Sequence, residues 1–577
     1  MKRSRRLDRL QRMSLGLALL GALAACNSSR STDSAAALDE AEPAVPSRET
    51  CADNSLLAGC ETAGGTPGPS QPPPEVERED TYRAPVVTGR YVWSANPGSG
   101  RVAAIDATTL EIRSGEAGNG PSVVAGMDAT GAPPRALVIN SGADDASLLE
   151  LTDTGIGARH VPLHQGADSW SLSPDGRFAI AWTDRRKAVR LDDTDGLQDI
   201  TVLELGAQGE LGATRLSVGY RPSAIAFDAQ SRRAFAVTED GISVVELEPG
   251  AVRLGDLVPL PSTRRIQPDV SITADGSRAL ARLEGSSSLY DIDLSLGQTR
   301  EIPLGGVITD LDLSADGSRA VAVIRSRTLA PAPVDAGAPL DAGSSDGGVS
   351  DAGTQADPGP PPANVSEAVF IPVPAGLTDA GQRRTLTVPG GNFGSVSLSP
   401  DGSRAVLFST GLATGVVTLV GPDLEQRSVD LIAPVRAVFV TADSAHALAL
   451  QDPPAGSVKK GAFSVLSLAN VRAPKRVATD APAELVALDP ATSERAIVTV
   501  SDPGSGLYGA YFVRMPSLQV DFLPLPSRPL SSGVVPAAGQ GFVSQQHPEG
   551  RITFISLDAG VSRMITGFEL SAKVVNE

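Results

Sequence analysis

A short string, Ser399-Pro400-Asp401-Gly402-Ser403-Arg404-Ala405-Val406, returns in worn form about every 45 residues along this 577-residue chain, a period of the kind that builds repeat folds. Clear copies stand at Ser173-Pro174-Asp175-Gly176, Thr273-Ala274-Asp275-Gly276-Ser277-Arg278-Ala279 and Ser314-Ala315-Asp316-Gly317-Ser318-Arg319-Ala320. Weaker ones surround Ser231-Arg232-Arg233-Ala234, Thr441-Ala442-Asp443-Ser444 and Ser493-Glu494-Arg495-Ala496. Each is flanked by short alternating apolar runs, such as Val396-Ser397-Leu398 before and Ala320-Val321-Ala322-Val323 after, and a period of two means strand. Proline presets φ, the aspartate carboxylate caps the turn, and glycine takes positive φ without steric cost.

The residue opening the second strand of each unit gives ten anchors: Tyr91, Ala136, Ala179, Ala234, Ala279, Ala320, Ala405, Ala447, Ala496 and Phe542. Two longer steps have visible causes, an acidic insertion near Asp192 to Asp199 and an Ala/Gly/Pro-rich insertion from about Thr328 to Ala363. Third and fourth strands follow each anchor, as in Ile242 to Leu247 and Val252-Arg253-Leu254. Four short strands per period is the pattern of a β-propeller blade. The expected fold class is therefore all-β, a single large propeller of eight to ten four-stranded blades, over residues 81–577 with the insertion at 328–363 disordered. A lone blade cannot cover both its apolar faces, so the ring must close. The first unit, Arg90 to Ser94, shows no convincing inner strand, and the segment Phe568 to Val575 is expected to supply it.

The N-terminus carries Lys2, Arg3, Arg5, Arg6, Arg9 and Arg12, then an apolar run from Met13 to Leu23, then Leu23-Ala24-Ala25-Cys26. This reads as a secretion signal over residues 1–25, because a run of roughly a dozen residues is too short for a stable span of about twenty. Residues 26–80, rich in Ser, Pro, Gly and acid, read as a disordered tether. Cys51 and Cys60 lie in it, and outside the cytosol a disulfide between them is the expected state, with free or intermolecular thiols as the other reading. The formal net charge is −18, and removal of residues 1–25 takes away six basic groups and one acidic group, leaving about −23. Such a surface repels phosphate backbones and argues against nucleic acid as a partner.

Leu23-Ala24-Ala25-Cys26 resembles the lipobox of bacterial lipoproteins, which implies lipid attachment at Cys26 and a membrane partner through that anchor. Asn27 rather than aspartate follows, and by that resemblance the destination is the outer membrane, with the ring periplasmic or surface-exposed. The units themselves resemble the YVTN and PD40-type, WD40-like propeller repeats of bacterial surface and periplasmic proteins. Tyr91-Val92-Trp93-Ser94-Ala95-Asn96, Arg101 to Asp106 and the Ser-Pro-Asp-Gly turns carry that likeness over about residues 88 to 565. It implies a fold and leaves the activity open.

Candidate chemistry is sparse. Asp193-Thr194-Asp195-Gly196-Leu197-Gln198-Asp199 looks like the latter part of a calcium loop, but Leu191 stands where the first aspartate belongs, and a solvated acidic hairpin tip is the competing reading. His160 and His164 flank an extended Val161-Pro162-Leu163, roughly 13 Å apart along the strand, and are expected to be exposed. Arg278, Arg319 and Arg404 share one face and would either line an anionic site or pair with the repeat's own aspartates. Trp93, Trp170 and Trp182 are expected to pack within or between blades. No nucleophile elbow, P-loop or dinucleotide fingerprint is present, so the reading names no catalytic residue, cofactor or resident metal. The links between second and third strands are the long ones, at Asp192 to Asp199, Thr328 to Ala363, Asp452 to Gly461 and Asp502 to Tyr508, and all share the face opposite the Asp-Gly turns. A protein or glycan partner is expected there. The functional expectation is a membrane-anchored binding or scaffolding module; a lactonase-like or redox propeller enzyme and a mainly structural envelope protein are the alternatives.

Overall fold

A computed structural model of the chain describes residues 85–127, 133–184, 197–206, 210–261, 268–328, 364–389 and 393–568. The expected signal segment, tether and insertion lie outside these residues. Among the described residues, forty strands form ten four-stranded antiparallel sheets, each from four consecutive strands in chain order. The molecule is a ten-bladed β-propeller. Numbered along the chain, blade 1 runs from Val86 to Glu116, blade 6 from Ile308 to Pro389 and blade 10 from Pro529 to Thr566.

Burial follows the radius. Second strands are covered on both faces, as in Arg135–Asn140 and Phe178–Trp182, while fourth strands such as Arg253–Val258 and Gln298–Pro303 are mostly exposed. Doubly covered strands read as continuous apolar runs, and outer ones as polar sequence.

The anchor alanines have a packing reason. Blades converge toward the axis, so a large side chain on one blade needs a small one opposite it on the next. Leu137 of blade 2 meets Ala179 of blade 3, Phe235 of blade 4 meets Ala279 of blade 5, and Val406 of blade 7 meets Ala447 of blade 8. The same rule corrects the two loosest anchors by one residue. In blade 1, Val92 rather than Tyr91 faces the preceding blade, and in blade 10 Gly541 rather than Phe542 does so, close against Ile497. A one-residue shift exchanges the faces of a strand. Ala279→Leu should force blades 4 and 5 apart and lower stability by about 1–3 kcal/mol, read from urea unfolding; an unchanged midpoint would mean that the boundary has slack.

The turns are built as their composition demands. Ser399 Oγ donates to Asp401 Oδ1 at 2.7 Å, the Ser403 amide donates to the same oxygen at 3.0 Å, and the Arg404 amide donates back to Ser399 Oγ at 2.8 Å. Thr273/Asp275/Ser277 and Ser314/Asp316/Ser318 repeat the arrangement. Gly276 has φ +64°, and a Cβ there would come 2.8 Å from the Phe235 ring of the preceding blade.

Closure differs from the expectation. Blade 1 has its own inner strand, Val86–Thr88, paired with Tyr91–Trp93, and Thr88 Oγ1 accepts the Trp93 indole N–H at 2.5 Å. Three residues beside a turn are too short for a periodicity signal, which is why the sequence hid them. No strand of the C-terminus completes blade 1 among the described residues. Instead Phe568 packs with Phe542 and Phe554 of blade 10 against Val92 and Ile105 of blade 1, and Arg563 Nη2 donates to Thr108 O at 3.3 Å.

Candidate functional site

The antiparallel order of each blade puts the first-to-second and third-to-fourth turns on one face and the second-to-third links on the other. Blade 1 starts at Val86 and first turns at Gly89-Arg90, so the chain enters the ring at Pro85 on the long-link face. On that face the link from Asp452 to Lys460 in blade 8 leans toward blade 9. Lys459 Nζ pairs with Asp480 at 2.6 Å, Lys460 pairs with Asp502, and Val458 between the strands is 92% exposed.

The opposite face is laced by arginines. Arg319 Nη1 donates to Gly402 O at 3.2 Å and Arg404 Nη1 to Ser444 O at 3.3 Å, each reaching the turn of the following blade. Arg233 does the same to Gly276 O at 3.0 Å. Further out, Arg113 donates to Thr152 O at 2.7 Å and Arg384 to Asp423 O at 3.0 Å, again one blade onward. These guanidiniums hold carbonyls at blade boundaries, a use neither of the two sequence readings contained. Among the described residues Arg278 alone of the three pairs with aspartates, Asp291 at 2.8 Å and Asp293 at 3.9 Å, both of the third strand rather than the turn.

The channel wall holds the most perturbed chemistry. The inner strand of blade 6, Ile308–Leu313, reads Ile-Thr-Asp-Leu-Asp-Leu, and a period of two puts Asp310 and Asp312 on the same side. The neighbouring inner strand, Ser395–Leu398 of blade 7, ends its sheet and so has an unpaired edge. Asp310 Oδ2 accepts the Val396 amide at 2.8 Å, Asp312 Oδ2 accepts the Leu398 amide at 3.1 Å, and Thr309 Oγ1 donates to Gly394 O at 2.7 Å. Side chains thus stand in for a strand partner across the boundary. Asp269, which opens the inner strand of blade 5, pairs with Arg282 at 3.1 Å.

Burial raises the Asp310 carboxyl and Asp269 adds to it, against the Val396 amide and Arg282, which lower it. For Asp312, burial and then the Asp310 charge push the carboxyl up to about 7, with Asp269 adding and the Leu398 amide opposing them. Sequence reasoning passed over this pair. The signal was available: no other described inner strand carries two carboxylates on one side, and Asp269 of blade 5 and Glu484 of blade 9 stand singly in theirs.

Cys26, Cys51, Cys60, Asp193 and Asp195 lie outside the described residues. Asp199 opens the third strand of blade 3 and pairs with Arg215. Among the described residues no three His, Cys, Asp or Glu side chains come together to hold a metal, and no helix is long and apolar enough to cross a membrane. His160 is exposed, with Nδ1 3.0 Å from Ser147 Oγ. His164 contradicts its expected exposure: it is 0% exposed, with Nδ1 3.0 Å from Thr201 Oγ1, and burial pushes its pKa down to about 4. It follows the fourth strand of blade 2 and turns inward on the link to blade 3, which strand periodicity does not foresee. Trp93 and Trp182 are buried, and Trp170 Nε1 donates to Val123 O of the preceding blade at 3.2 Å.

No family model matches the chain, and no curated protein matches it. Among solved structures it is similar to a dihydro-heme d1 dehydrogenase, 15% identical, covering 67% of this chain and 72% of that one at a TM-score of 0.38. It is also similar to the hydrazine synthase of Kuenenia stuttgartiensis, 14% identical over 60% and 95% at 0.31, and to a eukaryotic initiation factor, 11% identical over 70% and 97% at 0.34. Likenesses this distant carry no functional argument.

Proposed function

We propose that this protein is an outer-membrane lipoprotein of the YVTN/PD40-like repeat class, held through Cys26 and presenting its propeller as a binding or scaffolding module. What supports the reading most is the join of two features: an N-terminal Leu23-Ala24-Ala25-Cys26 lipobox pattern, and a rigid ten-bladed ring whose long second-to-third links gather on one face. Loops on rigid scaffolds suit recognition, and the partner is a protein or glycan bound on that face. The chain enters the ring from the same face. A flexible tether of the length between Cys26 and Pro85 reaches about 40 Å r.m.s., enough to let the ring turn its long-link face away from the anchoring membrane. A propeller enzyme would place its acid or base at Asp310 and Asp312, yet both carboxylates accept backbone amides of blade 7.

Cys26→Ser is expected to move the protein from the membrane fraction to the soluble fraction, because the acyl chains supply the membrane affinity. Retention of the variant in the membrane fraction would refute the anchor. Brief protease treatment of intact cells, with permeabilised cells as control, then assigns the side: cutting on intact cells puts the ring outside, and protection until permeabilisation puts it in the periplasm.

A further inference from the structure

We propose that Asp310 and Asp312 form a pH-sensitive latch between blades 6 and 7, closed while the pair keeps one proton and loosened when both carboxylates ionise. The latch rests on geometry at a blade boundary and is independent of the anchoring reading. Three side chains of one inner strand bind the backbone of the next: Asp310 takes the Val396 amide, Asp312 the Leu398 amide, and Thr309 gives to Gly394 O. Other inner-strand boundaries carry links such as Ser397 Oγ to Val438 O at 3.4 Å, Trp170 Nε1 to Val123 O and the Arg436 guanidinium to Ala483 O.

The surroundings decide the sign. From blade 5 the pair faces Asp269, which disfavours a second charge, and Arg282, whose charge is shared with Asp269 in an ion pair. From blade 7, the inner strand Ser395–Leu398 and the second strand Ala405–Phe408 bring no ionisable side chain. A protonated Asp312 still offers its carbonyl oxygen to Leu398, so the closed form keeps all three links. A second negative charge two residues from the first, on a half-buried wall, is relieved by letting water in, and the edge of blade 7 is what gives way.

Hydrogen exchange on the full chain tests this. The protection of residues 394–399, divided by that of the blade 8 inner strand Val435–Val440 to remove intrinsic pH effects, should fall about tenfold between pH 5.5 and 8.5, one pKa unit's worth of coupling. Asp312→Asn keeps an acceptor for Leu398 and has no proton to lose, so its ratio should stay at the low-pH level throughout. A wild-type ratio constant within twofold, or an Asp312→Asn profile that falls as the wild type does, overturns the latch. If Asp312→Asn fails to fold, the wild-type profile together with Asp310→Asn, expected to flatten it likewise, decides the matter.

Discussion

Phe568→Ala is expected to lower the unfolding free energy by about 3 kcal/mol, the cost of a phenyl-sized cavity in a core that cannot collapse around it. The ring is 2% exposed, and Gly550 leaves room for it: a Cβ there would lie 2.3 Å from the phenyl edge. Position in the propeller adds to the effect. Nine blade boundaries join sequence neighbours, whereas the tenth joins blade 10 to blade 1, and each of those blades is built only from its own four strands. Among the described residues no exchanged strand fastens the ends, and side chains hold them: Phe542, Phe554 and Phe568 against Val92 and Ile105, with Arg563 reaching Thr108. A weakened closing boundary opens the ring into an array whose end blades each expose an apolar face. Urea unfolding should show the midpoint falling. Met564→Ala, at a side chain 50% exposed on the outer strand of the same blade, should stay within about 0.5 kcal/mol of the parent. A loss below about 1 kcal/mol for Phe568→Ala would mean that closure is carried elsewhere.

How much of this was legible follows from the physics of each element. The Asp-Gly turns and the alanines beside them repeat because every blade meets the same local problems, a tight reversal and a large neighbour, so they could be read in a single sequence. Ten anchors correspond to ten blades, and eight of them fall on the face of the strand that meets the preceding blade. Tyr91 and Phe542 missed by one residue because the small-against-large rule, which Val92 and Gly541 obey, appears only when two blades are side by side. Closure was misread for the same reason, as Val86–Thr88 is recognisable as a strand only once Tyr91–Trp93 pairs with it. The arginine lacing was hidden because its partners are backbone groups, and the Asp310/Asp312 pair, though visible as two same-side carboxylates, for the same reason gave no sign of what it binds. A carbonyl or an amide has no letter in the sequence, whereas an aspartate does, and the arginines were accordingly matched to aspartates.

Asp312→Asn is expected to stabilise the protein at pH 8 by about 1–3 kcal/mol and to leave it unchanged at pH 4.5. The turn aspartates and the channel aspartates have opposite signs of linkage. Burial alone would raise Asp401, but the Ser403 amide and the Ser399 and Ser403 hydroxyls hold it down to about 2, and Asp175, Asp275 and Asp316 are lowered in the same way. Their stabilisation is complete above the ordinary carboxylate value and is lost as pH falls through the folded one. Asp310 and Asp312 are raised, so their contribution is complete below the ordinary value and is lost as pH rises, through about 7 for Asp312. His164 runs against them: lowered to about 4 by burial, it contributes fully above its ordinary value near 6.5 and loses that contribution as pH falls toward 4. Between those limits the histidine offsets the channel carboxylates, while above pH 6.5 the histidine's contribution levels off and Asp312, raised to about 7, is still losing its own. The wild type should therefore lose stability from pH 6.5 to 8, and Asp312→Asn should remove most of that slope. Asparagine keeps the acceptor for the Leu398 amide, so the comparison isolates the charge. The partly buried wall and the sharing of one proton with Asp310 keep the gain within that range of about 1–3 kcal/mol. Thermal melts of both proteins at pH 4.5, 6.5 and 8 decide it: equal melting temperatures at pH 8 would show that the ionised carboxylate costs the ring nothing, and an Asp312→Asn variant less stable at every pH would show that the carboxyl group does more for the ring than an amide.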